Sequence, residues 1–363
     1  MAKLFNMKDD EVKANFLDKL RREIQSANIN FIIGSGCTAP AIPLLGNIEN
    51  DIEKKIGEGK DDEAEELIFG YLEPFLEVTD KLKSNTDAVV NTVLDNYKSF
   101  LGNITQILFE RKSNILPKRA TIFSTNYDLF IERAFEEVDT HVNLSDGFKR
   151  NPSISRSFKF SSSEFFNSIY NSGNLYSYNV EIPSINLVKL HGSLSWQTND
   201  KDIVFSVDHL GELLAEHKKL SRKKKTEEIK KFNNKFSVVF PKKEKFKNTV
   251  LNQTYYDLLR LYANELDKEN TLLIVDGFSF ADEHLLEITK RALKNPTLII
   301  IIFSYTKEAS ECFSRAFSSY NNVDIVYAEG ENISFVEFNS IIKEVVPLAH
   351  KPNVGNNQAG ATK

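Results

Sequence analysis

Two hydrophobic periods alternate along this chain. Short, branched apolar runs stand between longer stretches in which apolar positions recur every three or four residues. From Tyr255 the alternation is regular and predicts helix 255–267, strand 271–275, helix 282–293, strand 297–303, helix 306–320, strand 323–327 and helix 335–345. Near the start, Val12, Phe16, Leu17, Leu20 and Ile24 share one helical face over residues 10–27, with Asp9 or Asp10 placed to cap it. Strands alternating with helices predict an α/β chain with a parallel sheet and helices on both faces. Residues 47–112 read as almost wholly helical. Val89, Val90, Val93, Leu94, Tyr97, Leu101, Ile104 and Leu108 form one stripe there, so an inserted helical lobe is expected over 47–115. Residues 139–184, rich in Ser, Asn and Phe, read as loops and short strands covering a site. Residues 201–250 read as a charged, mostly helical excursion, and 351–363 as a disordered tail.

Four apolar runs end in residues that carry chemistry. Phe31-Ile32-Ile33 leads into Gly34-Ser35-Gly36. Ala120-Thr121-Ile122-Phe123 leads into Ser124-Thr125-Asn126-Tyr127-Asp128. Leu187-Val188-Lys189-Leu190 leads into His191-Gly192-Ser193, and Leu272-Leu273-Ile274-Val275 into Asp276-Gly277-Phe278-Ser279 and on to Asp282. In an open parallel sheet, ligands bind beyond the carboxyl ends of the strands, so these groups converge on one crevice laid out as a nucleotide site. Gly34 and Gly36 suit close approach of a pyrophosphate to the backbone, and equally an ordinary tight turn. Asn126 can donate and accept at once. His191, between a strand end and a glycine, is the candidate base, because imidazole exchanges protons near neutral pH. Asp128 suits a ligand or the N-cap of a helix over 129–137, and its two oxygens allow both; Asp282 is open between the same two roles. Cys37 reads as a small buried residue rather than a reactive thiol, and His284 follows the last glycine loop.

Composition narrows the class. The chain has 363 residues, 41% hydrophobic and 27% charged, which suits a sizeable globular core. Two cysteines give no disulfide framework and no four-thiolate zinc site, so no metal is expected. Met1 to Asp10 has no signal-type apolar region, and the run Leu298 to Phe303 is too short to span a bilayer, so a cytoplasmic protein is expected. A net charge of −5 argues against nucleic-acid binding by the whole surface. Lys218 to Lys247 nevertheless holds thirteen Lys/Arg against three Glu, and Glu49 to Glu66 nine acids against three lysines. These are two solvated faces, a head-to-tail assembly contact, or, for the basic segment, a docking patch for a nucleic-acid-associated partner. No Gly-x-x-x-x-Gly-Lys-Ser/Thr loop is present, so the chain is not expected to be an ATPase.

The four strand-end motifs and their order resemble the sirtuin-like (Sir2-like) NAD-binding family. Gly34-Ser35-Gly36 matches its first glycine loop, Asn126-Tyr127-Asp128 its Asn-x-Asp element, His191-Gly192 its His-Gly pair, and Gly277-Phe278-Ser279 its late Gly-x-Ser loop. The Thr125-Asn126-Tyr127-Asp128 wording is similar to the NAD-hydrolysing branch of bacterial antiphage defence. The resemblance implies a Rossmann-like catalytic domain over 1–350, with NAD as substrate. It implies that Asn126 holds the nicotinamide ribose or the attacking water, and that Asp128 accepts from the nicotinamide carboxamide. Gly34, Ser35, Gly36, Thr38, Thr125, Gly277, Phe278, Ser279 and Asp282 would bind the rest of the dinucleotide. It further implies an effector that depletes NAD under external control, partnered by a HerA-type ATPase or an Argonaute, with only indirect contact with nucleic acid; the two charged segments and the need for control make a homo-oligomer the expectation. The stretch Thr38-Ala39-Pro40-Ala41 and the lack of paired cysteines depart from the deacylating sirtuins. An NAD-dependent deacylase or ADP-ribosyltransferase, or a non-catalytic NAD-binding scaffold, are the alternatives.

Overall fold

A computed structural model describes residues 1–44, 48–111, 115–138, 141–150, 158–172, 179–199, 202–222, 225–238 and 249–346. The expected tail at 351–363 and much of the basic segment, at 223–224 and 239–247, lie outside them. The strands are β1 Lys3–Asn6, β2 Asn28–Ile33, β3 Arg119–Ser124, β4 Asn143–Ser145, β5 Phe148–Lys149, β6 Phe158–Phe160, β7 Ile169–Ser172, β8 Asn179–Ile182, β9 Ser184–Lys189, β10 Trp196–Asn199, β11 Asp202–Phe205, β12 Thr271–Asp276, β13 Leu298–Phe303 and β14 Val323–Tyr327. The helices are α1 Asp10–Ser26, α2 Ile48–Gly57, α3 Asp61–Ser84, α4 Ala88–Glu110, α5 Phe130–Glu137, α6 Leu210–Ser221, α7 Thr226–Asn233, α8 Thr249–Asp267, α9 Glu283–Ala292, α10 Lys307–Ala316 and α11 Phe335–Val345.

Eight strands form one sheet in the order β1-β14-β13-β12-β2-β3-β9-β4, and every pairing in it is parallel. From β2 in the middle the chain steps outward to β3 and β9, then returns to β12 and steps the other way to β13 and β14. This is the doubly wound, Rossmann-like order, and its switch point lies between β2 and β12. Because a strand's side chains alternate, each central strand feeds two cores. Ile29, Phe31, Ile33, Ile122 and Ile274 pack with Phe16, Phe100 and Phe338 from α1, α4 and α11. Ile32, Phe123, Val188, Leu273 and Val275 pack on the other face with Leu258, Tyr262 and Leu285 from α8 and α9. Asp9 caps α1, its carboxylate accepting from the N–H groups of Glu11 and Val12 at 3.0 Å each.

The stretch 47–115 divides between two environments. α4 lies against the sheet, where Phe100 meets Phe31 at 5.3 Å and Phe335 at 5.6 Å between ring centroids. α2 and α3 instead group with α6 and α7 from the later charged excursion: Phe69 of α3 stacks on His217 at 3.9 Å and meets Phe232 at 5.3 Å. Charge follows the same grouping. Lys230 pairs with Asp62 at 2.7 Å, and Asn233 donates to the Glu65 carboxylate at 2.8 Å. Parts of the acidic and basic segments thus meet within one chain, through Lys230 and Asp62.

Other boundaries moved. β1, an edge strand with Leu4 exposed, is held by long-range pairing to β14 rather than by any local pattern. The segment 201–250 opens with β11, a strand of the small antiparallel sheet β10-β11-β6-β5, before its helices begin. α8 starts at Thr249 rather than near 255, and α5 starts at Phe130 rather than directly after Asn126-Tyr127-Asp128. Among the described residues no helix is long and apolar enough to cross a membrane. Phe100, fully buried between sheet and helices, should be a main anchor of the fold. Phe100→Ala is expected to lower unfolding free energy by about 3–5 kcal/mol in urea denaturation, and a loss below about 1 kcal/mol would contradict this packing.

Candidate active site

The first and last motifs meet at the switch point. β2 and β12 are neighbours, and the loops that leave them touch closely through their backbones. The Gly34 N–H donates to the Asp276 carbonyl at 3.1 Å and the Gly36 N–H to the Gly277 carbonyl at 3.0 Å. A Cβ on Gly34 would collide with the Gly277 carbonyl, and one on Gly36 would lie 2.8 Å from the Gly277 Cα. Gly277 has φ +64, and a Cβ there would come within 2.6 Å of the Cys37 Sγ. The glycines are therefore needed for one loop to seat against the other. The N–H groups of Gly34 and Gly36 are engaged in that contact. Ser35 is the exposed residue of the first loop, while the Thr38 hydroxyl is buried and donates to the Ser35 carbonyl at 2.9 Å.

The neighbouring strand β3 delivers Asn126 and Asp128. Asn126 is buried and its Nδ2 donates to the Gly34 carbonyl at 3.0 Å, tying this loop to the first glycine loop. Thr125 beside it is half-buried. Asp128 divides its two oxygens: Oδ1 accepts from the Phe130 N–H at 3.2 Å at the start of α5, while Oδ2 is buried without a partner among the described residues. Burial raises the Asp128 carboxyl, against the opposing pull of Lys189 and the Phe130 N–H. Lys189, at the end of β9, is itself buried. It donates to the Asp128 carbonyl at 2.6 Å and to the Asn126 carbonyl at 3.4 Å, and lies 3.4 Å from Glu132. It clamps the Asn126–Asp128 turn from below. A lysine inside the apolar run Leu187-Val188-Lys189-Leu190 was a visible anomaly that sequence reasoning passed over.

Three further buried polar groups underlie the crevice. Tyr97 reaches in from α4, its hydroxyl pushed well up by burial and by the charges of Asp128 and Cys37, and influenced by Asn126. The Cys37 thiol donates to Asp276 Oδ2 at 3.1 Å, and burial followed by Asp276 raises it far above the usual thiol range. It is a buried structural thiol. Cys312 is exposed on α10, so the two cysteines do not come together. Burial lifts the Asp276 carboxyl to about 7.

His191 follows β9. Its Nε2 lies 3.1 Å from Asp282 Oδ2. Gly192 has φ +81, and a Cβ there would strike the Ser237 carbonyl, because Val238 pairs with Gly192 as an isolated bridge. Leu194 N–H donates to the Tyr127 carbonyl at 3.0 Å, linking this loop to that of Asn126. Asp282 resolves its two readings: it caps α9 through Oδ1, accepting from His284 and Leu285 N–H, and it binds His191 through Oδ2. Its contact with the candidate base spans distant parts of the sequence. Phe278 packs on Phe280 at 4.9 Å, Ser279 is exposed, and the exposed His284 donates its N–H to Asp282.

Two changes test this arrangement. Gly277→Ala should cost about 1–3 kcal/mol of stability, from positive φ and the Cys37 contact together; unchanged thermal unfolding would contradict the loop packing. For Asp276, a folded-state value near 7 lies above the ordinary carboxylate value of about 4. The folded state then holds a proton that the unfolded chain releases, so stability falls as pH rises through that window and the cost is complete above it. Asp276→Asn should therefore stabilise the protein more at pH 8 than at pH 5, by roughly 1 kcal/mol or more. Equal effects at both pH values in urea denaturation would contradict it.

A family model described as SIR2-like domain matches residues 120–322, a span running from β3 to the residue before β14. It includes Asn126, Asp128, His191, Gly277 and Asp282, and the fold adds the loop Gly34–Gly36, which packs on Gly277. No curated protein matches the chain. SIR2-like domains are often NAD-dependent enzymes. With more than half of its residues matched and a doubly wound sheet bringing the four motifs to its switch point, the chain belongs to the SIR2-like family.

Proposed function

We propose that the chain is an NAD hydrolase that cleaves NAD to nicotinamide and ADP-ribose. The observation that carries this reading is the buried Asp128 Oδ2, without a partner among the described residues, beside Asn126 at the carboxyl end of β3. A buried acceptor without a donor is costly, and a carboxamide N–H₂ would satisfy it. In the proposed reaction the bond between nicotinamide nitrogen and ribose C1′ breaks as a water oxygen attaches to C1′. The bonding pair leaves with nicotinamide, and the water proton passes to His191. Asn126, fixed through Gly34, would hold the ribose or that water. Burial around Asn126, Asp128 and Tyr97 favours exclusion of bulk water.

Deacylation fits less well. A zinc ribbon needs four clustered ligands, whereas Cys37 is buried against Asp276 and Cys312 stands exposed on α10. The antiphage role, with NAD depletion gated by a HerA-type ATPase or an Argonaute, is proposed from the family resemblance alone. Homo-oligomerisation is proposed because such an activity needs external control and the chain carries two oppositely charged segments.

Nicotinamide release, followed by chromatography with and without a co-expressed partner, tests the reading. His191→Ala and Asn126→Ala should each lower turnover by about two to four orders of magnitude while circular dichroism stays unchanged. Full activity in His191→Ala would remove His191 from the mechanism.

A further inference from the structure

His191 and Asp282 stand on loops leaving β9 and β12, and β3 and β2 lie between those strands. Three strand spacings amount to about 14 Å, yet Nε2 and Oδ2 are 3.1 Å apart. The two loops therefore lean toward each other over the ends of β2 and β3, where Gly34 and Asn126 sit. The side chains are only 13% and 11% exposed, so the contact is poorly screened by water.

Asp282 does more than end a helix. Capping needs a single acceptor, and α10 and α11 are capped by the hydroxyls of Thr306 and Ser334. At α9 the capping oxygen is Oδ1, which accepts at 2.9 Å from His284 and 3.1 Å from Leu285. That bond fixes the carboxylate and aims Oδ2 at His191. Tyr255 of α8 lies against the ring, with centroids 6.3 Å apart. Its hydroxyl is pushed up by burial and then by the Asp282 charge, so it stays neutral beside the pair.

We propose that Asp282 is the positioning residue for His191. By accepting from Nε2–H, it selects the tautomer whose Nδ1 lone pair receives the proton of the attacking water. It then stabilises the resulting imidazolium without itself taking the proton. The proposal rests on the hydrolase reading for its catalytic consequence, though not for the pairing itself.

Asp282→Asn and Asp282→Ser both keep a good capping group and remove the carboxylate. Each should lower kcat for nicotinamide release by roughly 100-fold or more with KM for NAD little changed. Neither should reduce the residual rate of His191→Ala any further, since the two residues act as one unit. Nitrogen-15 NMR of the imidazole supplies a readout independent of turnover. The ring proton should sit on Nε2 in the wild type and move to Nδ1 in Asp282→Asn, whose amide donates to Nε2. Wild-type kcat in both variants, or an unmoved ring proton, would overturn the proposal. A wild-type protein that cleaves no NAD but shows the tautomer exchange would instead defeat the hydrolase reading and leave the pairing standing.

Discussion

Backbone contact between two glycine loops at the switch point is the constraint on which the rest of the site depends. β2 and β12 are adjacent and parallel, so the loops leaving them must share the same small volume above the sheet. Only residues without Cβ permit it: Gly34 and Gly36 lie directly against Gly277, and Cys37 fills the space beneath, bonded to Asp276. Once that contact is made, the Gly34 carbonyl is fixed and Asn126 has a defined partner. The same contact sets the course of the chain from Gly277 to Asp282, and hence the carboxylate that meets His191.

Buried polar groups supply the second level of order. Lys189, Asp128, Asp276 and Tyr97 are all removed from water, a costly arrangement unless each is paired or stays neutral. Lys189 meets the requirement with two backbone carbonyls and Glu132. Asp276 meets it by holding its proton up to about 7 and by accepting from a thiol. Asp128 leaves one oxygen unmatched. The mismatch stands at the strand end that the sequence motif marks, and it is the feature a ligand would correct.

Much of this was legible because the chemistry sits where hydrophobic period changes. A run such as Leu272-Leu273-Ile274-Val275 is too short and too branched for a helix, and the glycine after it marks the strand's carboxyl end. The doubly wound sheet followed from that alternation. Contacts between distant segments were not legible. His191 and Asp282 are 91 residues apart, and no local pattern couples them. The stripe on α4 reveals that one face is buried, but not that the sheet covers it while α3 also packs on α6 and α7. β1 carries only Leu4 and Phe5 as apolar positions and owes its extended form to β14. The opposite charges of 49–66 and 218–247 were readable, whereas their meeting inside one chain depends on α3 and α7 packing together.

If the chain hydrolyses NAD as proposed, this crevice breaks the bond between nicotinamide and ribose and delivers water to the ribose. Mass spectrometry of the products formed from NAD in oxygen-18 water tests that most directly. Hydrolysis yields free nicotinamide together with ADP-ribose carrying one heavy oxygen at C1′. Intact NAD, or ADP-ribose transferred to a protein or acyl acceptor in place of water, would contradict it.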